Sequence, residues 1–159
     1  MSLMIDQFNK QILKALQEDA SLTQKELAER VNLSPNACWN RVQALRKKGI
    51  LTGQTARLDR TKLDLGLVVF VMVRTRHHSA EWLEKFRRHV SSIPEVIDFF
   101  RIGGDYDYLL KVVSKDMAAY DGVYQRLIAG VELDSVTSYF AMEAIEEQRP
   151  LPVKEMTGL

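Results

Sequence analysis

Residues 101–113, RIGGDYDYLLKVV, set two carboxylates, Asp105 and Asp107, on either side of Tyr106 and directly behind Gly103 and Gly104. Carboxylates this close could form an acid/base pair, supply part of a cation site, or clamp a charged amine. They could also simply make a turn, since Asp and Gly are residues that tight turns select. A catalytic pair calls for a nucleophile with its base, and neither stands nearby in sequence. A metal site is poorly supplied. His77 and His78 are adjacent and would point to opposite faces of a strand, His89 falls on the surface of its helix, and the lone Cys38 lies far away. No metal and no cofactor is therefore expected. A clamp for a charged amine stays open as the third reading, since an aspartate accepts from an ammonium. For Asp105, plain turn-making remains an equal reading.

A second stretch with chemical potential is SPNACWNRVQALRKKG, residues 34–49. At 100° per residue, Cys38, Val42 and Leu45 share one apolar stripe of a helix. Asn36, Asn40, Gln43 and Lys47 share the opposite arc, with Trp39 and Arg41 on its flanks. The arc holds amides and cations and no acid, which are the groups that hydrogen-bond base edges and phosphates. With the helix cap Ser34, these residues are the candidate DNA contacts. A merely solvated polar face is the plainer alternative. Cys38 is explained by the core stripe.

The elements around that helix are legible. Ile5, Phe8, Ile12, Leu13 and Leu16 recur at helical spacing and predict a helix over about 6–17. Thr23 and Glu26 form a capping box flanked by a staple of Leu22 and Leu27. Asn32 tolerates the left-handed turn that ends the second helix. Ser34 then caps a third, with Pro35 at its first position and Gly49 at its end. Two helices so closely joined read as a helix-turn-helix. ILTGQTARL, residues 50–58, predicts a short hairpin wing turning near Thr52-Gly53, with Arg57 able to touch phosphate. Residues 1–58 thus form a DNA-binding module and 59–66 a hinge.

Residues 67–159 alternate strand and helix. LVVFVMVRT is a strand apolar on both faces. Ser79 caps a helix that aligns Trp82, Phe86, Val90 and Ile93. Two strands flank the glycine-bearing turn, and a second helix directs Tyr120, Val123 or Tyr124, Leu127 and Ile128 inward. DSVTSYFAMEAI closes a fourth strand. The order β-α-β-β-α-β predicts a ferredoxin-like α+β domain with both helices on one side of its sheet. The apolar second face then calls for cover, either by another subunit or by the first module or the tail QRPLPVKEM. A homodimer would also present two helix-turn-helix units to a two-fold-symmetric site on double-stranded DNA.

Composition agrees with such an assignment. The 159 residues are 46% hydrophobic and 27% charged with a net charge of +1, an ordinary globular balance. That net value hides an asymmetry. Residues 1–65 hold 11 Lys and Arg against 7 Asp and Glu, for +4, while 66–159 hold 11 against 14, for −3. The longest apolar run, Leu67–Val73, is too short to cross a bilayer, and no export signal opens the chain. One cysteine allows no internal disulfide, so a cytoplasmic setting without membrane attachment is expected.

IDQFNKQILKALQEDASLTQKELAERVNLSP leading into RVQALRKKGIL, and GGDYDYLLKV followed by SVTSYFAMEAI, together resemble the Lrp/AsnC family of bacterial and archaeal regulators, also called feast/famine proteins. The resemblance covers nearly the whole chain. It implies an N-terminal winged helix-turn-helix and a C-terminal βαββαβ (RAM) domain that regulates transcription in response to amino acids. It further implies dimers formed through the C-terminal sheets, often stacked into octameric rings, and no enzymatic activity. The effector would sit between dimers, at Gly104, Asp105, Tyr106 and Asp107 and at Thr137 and Ser138 of a neighbour's fourth strand. RTRHHSAEW, with CW in the third helix, is also similar to the branch containing the cysteine-responsive regulator of enteric bacteria.

Two other functions compete. RNA binding by a βαββαβ domain needs aromatic and basic residues on the third strand, and DYLLKVV offers only Tyr108 and one lysine. The other is an amino-acid-binding allosteric module without DNA affinity.

Overall fold

The computed structural model describes residues 5–153, which fall into two compact units. One comprises residues up to Arg57 together with the chain from Glu146 onward; the other runs from Leu58 to Ile145.

In the first unit, α1 (Gln7–Glu18), α2 (Gln24–Arg30) and α3 (Pro35–Lys47) enclose Ile12, Leu16, Leu27, Ala28, Cys38 and Leu45. Local chemistry sets every boundary. Asp6 caps α1 by accepting the Asn9 N–H at 2.8 Å. Thr23 Oγ1 accepts the Glu26 N–H at 3.3 Å while the Glu26 carboxylate accepts the Thr23 N–H at 2.8 Å, the reciprocal bonds of a capping box. Asn32 turns the chain at φ 54°, Ser34 caps α3, and Gly49 ends it at φ 70°. Each bond satisfies a terminal N–H or carbonyl that the helix cannot.

The expected hairpin over 50–58 does not form. These residues make no strand, and Gly53 does not adopt the positive φ that a two-residue hairpin turn demands. The segment instead runs without regular structure, held by Gln54 Nε2 donating to Ala20 O at 3.4 Å and Arg57 Nη2 to Gln148 O at 2.6 Å. The tail also departs from expectation. Residues 146–153 belong with the first unit, where the Gln17 amide exchanges two bonds with the Leu151 backbone and Val153 packs on the helical core.

The second unit opens with a 3₁₀ turn, Arg60–Leu63, inside the stretch read as a hinge. It continues β1 (Leu67–Arg74), α4 (Ala80–Ser91), β2 (Val96–Arg101), β3 (Tyr108–Ser114), α5 (Met117–Ile128) and β4 (Ser135–Phe140). The sheet order is β2-β3-β1-β4 with every neighbour antiparallel, the ferredoxin-like arrangement. On one face Val69, Val71, Val73, Leu110 and Val112 are fully buried with Phe86 and Val90 of α4 and Val123 and Leu127 of α5. Burial contributes about 1.5–3 kcal/mol for each large side chain. Ile128, expected inward, is exposed instead; Leu127 already fills that face. The fourth strand ends at Phe140, so Met142 and Ile145 lie outside it and in solvent. His89 is half-buried, with Nε2 3.0 Å from Leu127 O, rather than a surface residue. His77 lies in the β1–α4 loop, not on a strand, and pairs with Glu132 at 3.1 Å.

Candidate nucleic-acid interface and candidate effector turn

The third helix presents the candidate DNA residues as a graded set. Cys38 and Leu45 are buried and Val42 nearly so, which fixes the roll of α3 against α1 and α2. Burial also pushes the Cys38 thiol pKa up, which keeps it protonated and unreactive. Opposite the buried stripe, Asn36, Asn40 and Lys47 are exposed and Gln43 is half-buried. Ser34 accepts the Ala37 N–H at 3.2 Å. Trp39 is 47% exposed, large for an indole with no functional reason to face water. Arg41 differs from the rest. Its Nη1 donates to Asp6 Oδ2 at 2.5 Å and to Asn9 Oδ1 at 3.2 Å, and its guanidinium lies 5.3 Å from the centre of the Phe8 ring. The cap bond from Asn9, then the bond from Arg41, hold the Asp6 carboxyl below the usual carboxylate range. The structure therefore gathers Asn36, Asn40 and Lys47 on one open face and turns Arg41 toward α1. Nothing in sequence spacing showed that Asp6, Asn9 and Phe8 converge on it.

At the β2–β3 turn, Gly104 has φ 121°, a conformation that a side chain would strain. Apart from the flanking residues, no atom lies within 4 Å of where a Cβ at Gly103 or Gly104 would stand, so the turn's backbone is open to approach. The two aspartates have separate situations. Asp107 Oδ2 accepts the N–H of buried Thr75 at 2.8 Å, and the Asp107 backbone bonds both Val73 and Ile102, so this residue clamps the end of β1 to the turn. The Asp105 side chain is exposed, and its carbonyl accepts from Arg74 Nε at 2.7 Å.

Tyr106 lies toward the sheet face away from the helices. Its hydroxyl is 3.4 Å from Thr137 Oγ1, and Arg74 sits 5.4 Å above its ring. The bond with Thr137, then that with Tyr139, lowers the Tyr106 pKa, with Arg74's charge adding to it; the Tyr139 hydroxyl is raised by the same contact. Ser138 stands on the other side of β4, bonded at 2.5 Å to the hydroxyl of buried Tyr120. Tyr106 and Thr137 thus meet within one chain, while Ser138 belongs to the helix-covered face. Arg74 and Tyr139 were not among the residues singled out from sequence. Strand register brings them here, with Met72 opposite Thr137 and Phe70 opposite Tyr139. The same open face carries Phe70 at 36%, Tyr139 at 53% and Phe100 at 54% exposure. Among the described residues no group of three or more His, Cys, Asp or Glu is arranged to hold a metal ion, and no helix is long and apolar enough to cross a membrane.

Known proteins share this pairing of units. Residues 5–52 match the winged helix-turn-helix DNA-binding family, and residues 68–151 match the Lrp/AsnC ligand-binding domain. The chain belongs to the Lrp/AsnC family. This Lrp/AsnC protein is 45% identical to the DNA-binding transcriptional activator DecR of Escherichia coli K12, over 95% of its own length and all of DecR. It is 41% identical to the glutamate uptake regulatory protein of Zymomonas mobilis, covering 95% of this chain and 92% of that one. An AsnC family transcriptional regulator from Agrobacterium tumefaciens superposes with a TM-score of 0.92 at 45% identity, over 96% of this chain and 99% of that one. A transcriptional regulator from Neisseria meningitidis, solved in complex with L-Met, gives 0.90 at 33% identity, over 97% and 100%. The Lrp/AsnC chain is a DNA-binding transcriptional regulator rather than an enzyme, as its relatives are.

Proposed function

We propose that this regulator binds double-stranded DNA as a homodimer and that a small amino acid, held at the 103–107 turn, alters its assembly or its grip on DNA. The exposed row of Asn36, Asn40 and Lys47 on a helix braced by a buried stripe carries the DNA reading. Amides suit base edges and the lysine suits phosphate. Ser34, Trp39 and Gln43 extend that surface. The unit ending at Arg57, with the returning tail, holds DNA, and the unit from Leu58 to Ile145 receives the effector. A regulator of DNA works in the cytoplasm, where bacterial DNA lies.

Three features support the effector site. The Gly103-Gly104 backbone is open to a carboxylate, Asp105 offers an uncommitted carboxylate to an ammonium, and Tyr106 with Thr137 supplies a hydroxyl-lined wall. Asp107 holds the turn in shape, and Ser138 braces β4 against Tyr120. The Neisseria regulator's complex with L-Met makes an amino acid the natural class of ligand. The second sheet face is covered by another copy of the chain, because Phe70, Met72, Leu109, Phe100 and Tyr139 form one contiguous apolar field by register. At one end of that face Val68 and Val113 are already buried. Such dimers would stack into octamers through contacts near the effector turns.

Calorimetric titration of the wild-type protein and Asp105→Ala with each of the twenty amino acids tests the site. One or a few should bind the wild type, and Asp105→Ala should lose that binding. Equal binding by both removes Asp105 from the site, and no binding by the wild type removes the effector.

A further inference from the structure

The Arg41 side chain lies on the DNA-reading helix without joining its polar arc. At helical spacing it stands about 65° from the centre of the buried stripe and about 130° from the centre of the arc. Three residues from the start of α1 meet it: the Asp6 carboxylate at 2.5 Å, the Asn9 amide oxygen at 3.2 Å, and the Phe8 ring beneath the guanidinium. Asp6 is doubly committed, since its Oδ1 also caps α1. A phosphate that recruited Arg41 would have to displace this carboxylate and leave its negative charge beside the DNA backbone. An arginine waiting for phosphate leaves its fork of donors free; here the charge is met and Nη1 is used twice. Lys47, one helical turn and a half further along, has no such partner among the described residues.

We propose that Arg41 is a positioning residue for DNA recognition: through Asp6, Asn9 and Phe8 it sets the tilt of α3 on α1, and so the aim of Asn36 and Asn40, without touching DNA. The inference rests on the DNA-binding reading above. It separates two groups of cations on one helix, those that report to phosphate and one that reports to the fold.

Salt dependence distinguishes the two roles, because each lost phosphate contact lowers the slope of log K against log salt by about 0.9. The probe is a duplex enriched by the full-length wild-type protein from a random-sequence pool, with affinity read by fluorescence anisotropy over a series of KCl concentrations. Lys47→Met should flatten the slope by about 0.9 per subunit bound. Arg41→Met should weaken binding about tenfold, within the range of an interacting pair, with the slope unchanged. Asp6→Asn should also weaken binding at unchanged slope, since asparagine keeps the helix cap but not the charge that holds Arg41. The double variant should bind no worse than Arg41→Met alone.

A flattened slope in Arg41→Met overturns the proposal. So does tighter binding by Asp6→Asn, which is the result expected if that carboxylate only competes with phosphate. Should Arg41→Met fail to fold, as judged by circular dichroism, the sign of the Asp6→Asn effect decides alone. A wild-type protein that enriches no sequence and binds without salt dependence would remove DNA binding itself, a result distinct from either.

Discussion

On α3 the side chains of Asn36, Asn40 and Lys47 stand clear of the fold, whereas at residues 103–107 the fold has claimed most of the polar groups. Asn36, Asn40 and Lys47 face solvent from a helix whose other side is locked by Cys38, Val42 and Leu45. At the turn, Asp107 is taken by Thr75, the Asp105 carbonyl by Arg74, and Tyr106 by Thr137. Only the Asp105 carboxylate and the glycine backbone stay open. The difference fits the two proposed partners. A DNA groove is long and rigid and would be met by a preformed row. A small ligand would need few contacts, each at a fixed place, which the surrounding groups would hold.

The largest effect is expected at the open sheet face. Phe70→Lys places a second cation opposite Lys111 and beside Tyr139 in the middle of the apolar field. Burying an unpaired charge there is prohibitive, so analytical ultracentrifugation should show the dimer replaced by monomer. A variant that sediments as the wild type does would leave that face without a protein partner. A smaller effect separates the two aspartates. Asp107→Ala leaves the buried Thr75 N–H without its carboxylate and should cost about 1–3 kcal/mol in chemical denaturation. Asp105→Ala should change stability by less than about 0.5 kcal/mol, as surface substitutions do. Equal costs would mean that both carboxylates shape the turn, leaving none for a ligand.

How much of this was readable in the sequence follows from the range of the forces involved. The capping box of Thr23 and Glu26, the Ser34-Pro35 start and the Gly49 stop are local, and each appears where its residue type required. Periodicity likewise located β1, α4 and the inward Phe86 and Val90. The hairpin expected over 50–58 rests on the turn composition of Thr52-Gly53, yet the segment finds its bonds with Ala20 and, through Arg57, with Gln148. Gln148 is 91 positions from Arg57, beyond any local rule. Charge and spacing place Arg41 on the flank of the polar arc; its commitment to Asp6, 35 residues earlier, is tertiary. At the 103–107 turn the residue types suit an ammonium and a carboxylate, but the different situations of Asp105 and Asp107 depend on where Thr75 and Arg74 arrive. Strand register decides that.

The central claim is that the open row on α3 reads base sequence, with amide and cation doing different work. Its most direct test is the ratio of affinities for the selected duplex and a scrambled duplex, measured for wild type, Asn40→Ala and Lys47→Ala. Asn40→Ala should collapse the ratio, and Lys47→Ala should weaken both affinities while preserving it. An equal fall in the ratio from both substitutions, or none from Asn40→Ala, would contradict the account.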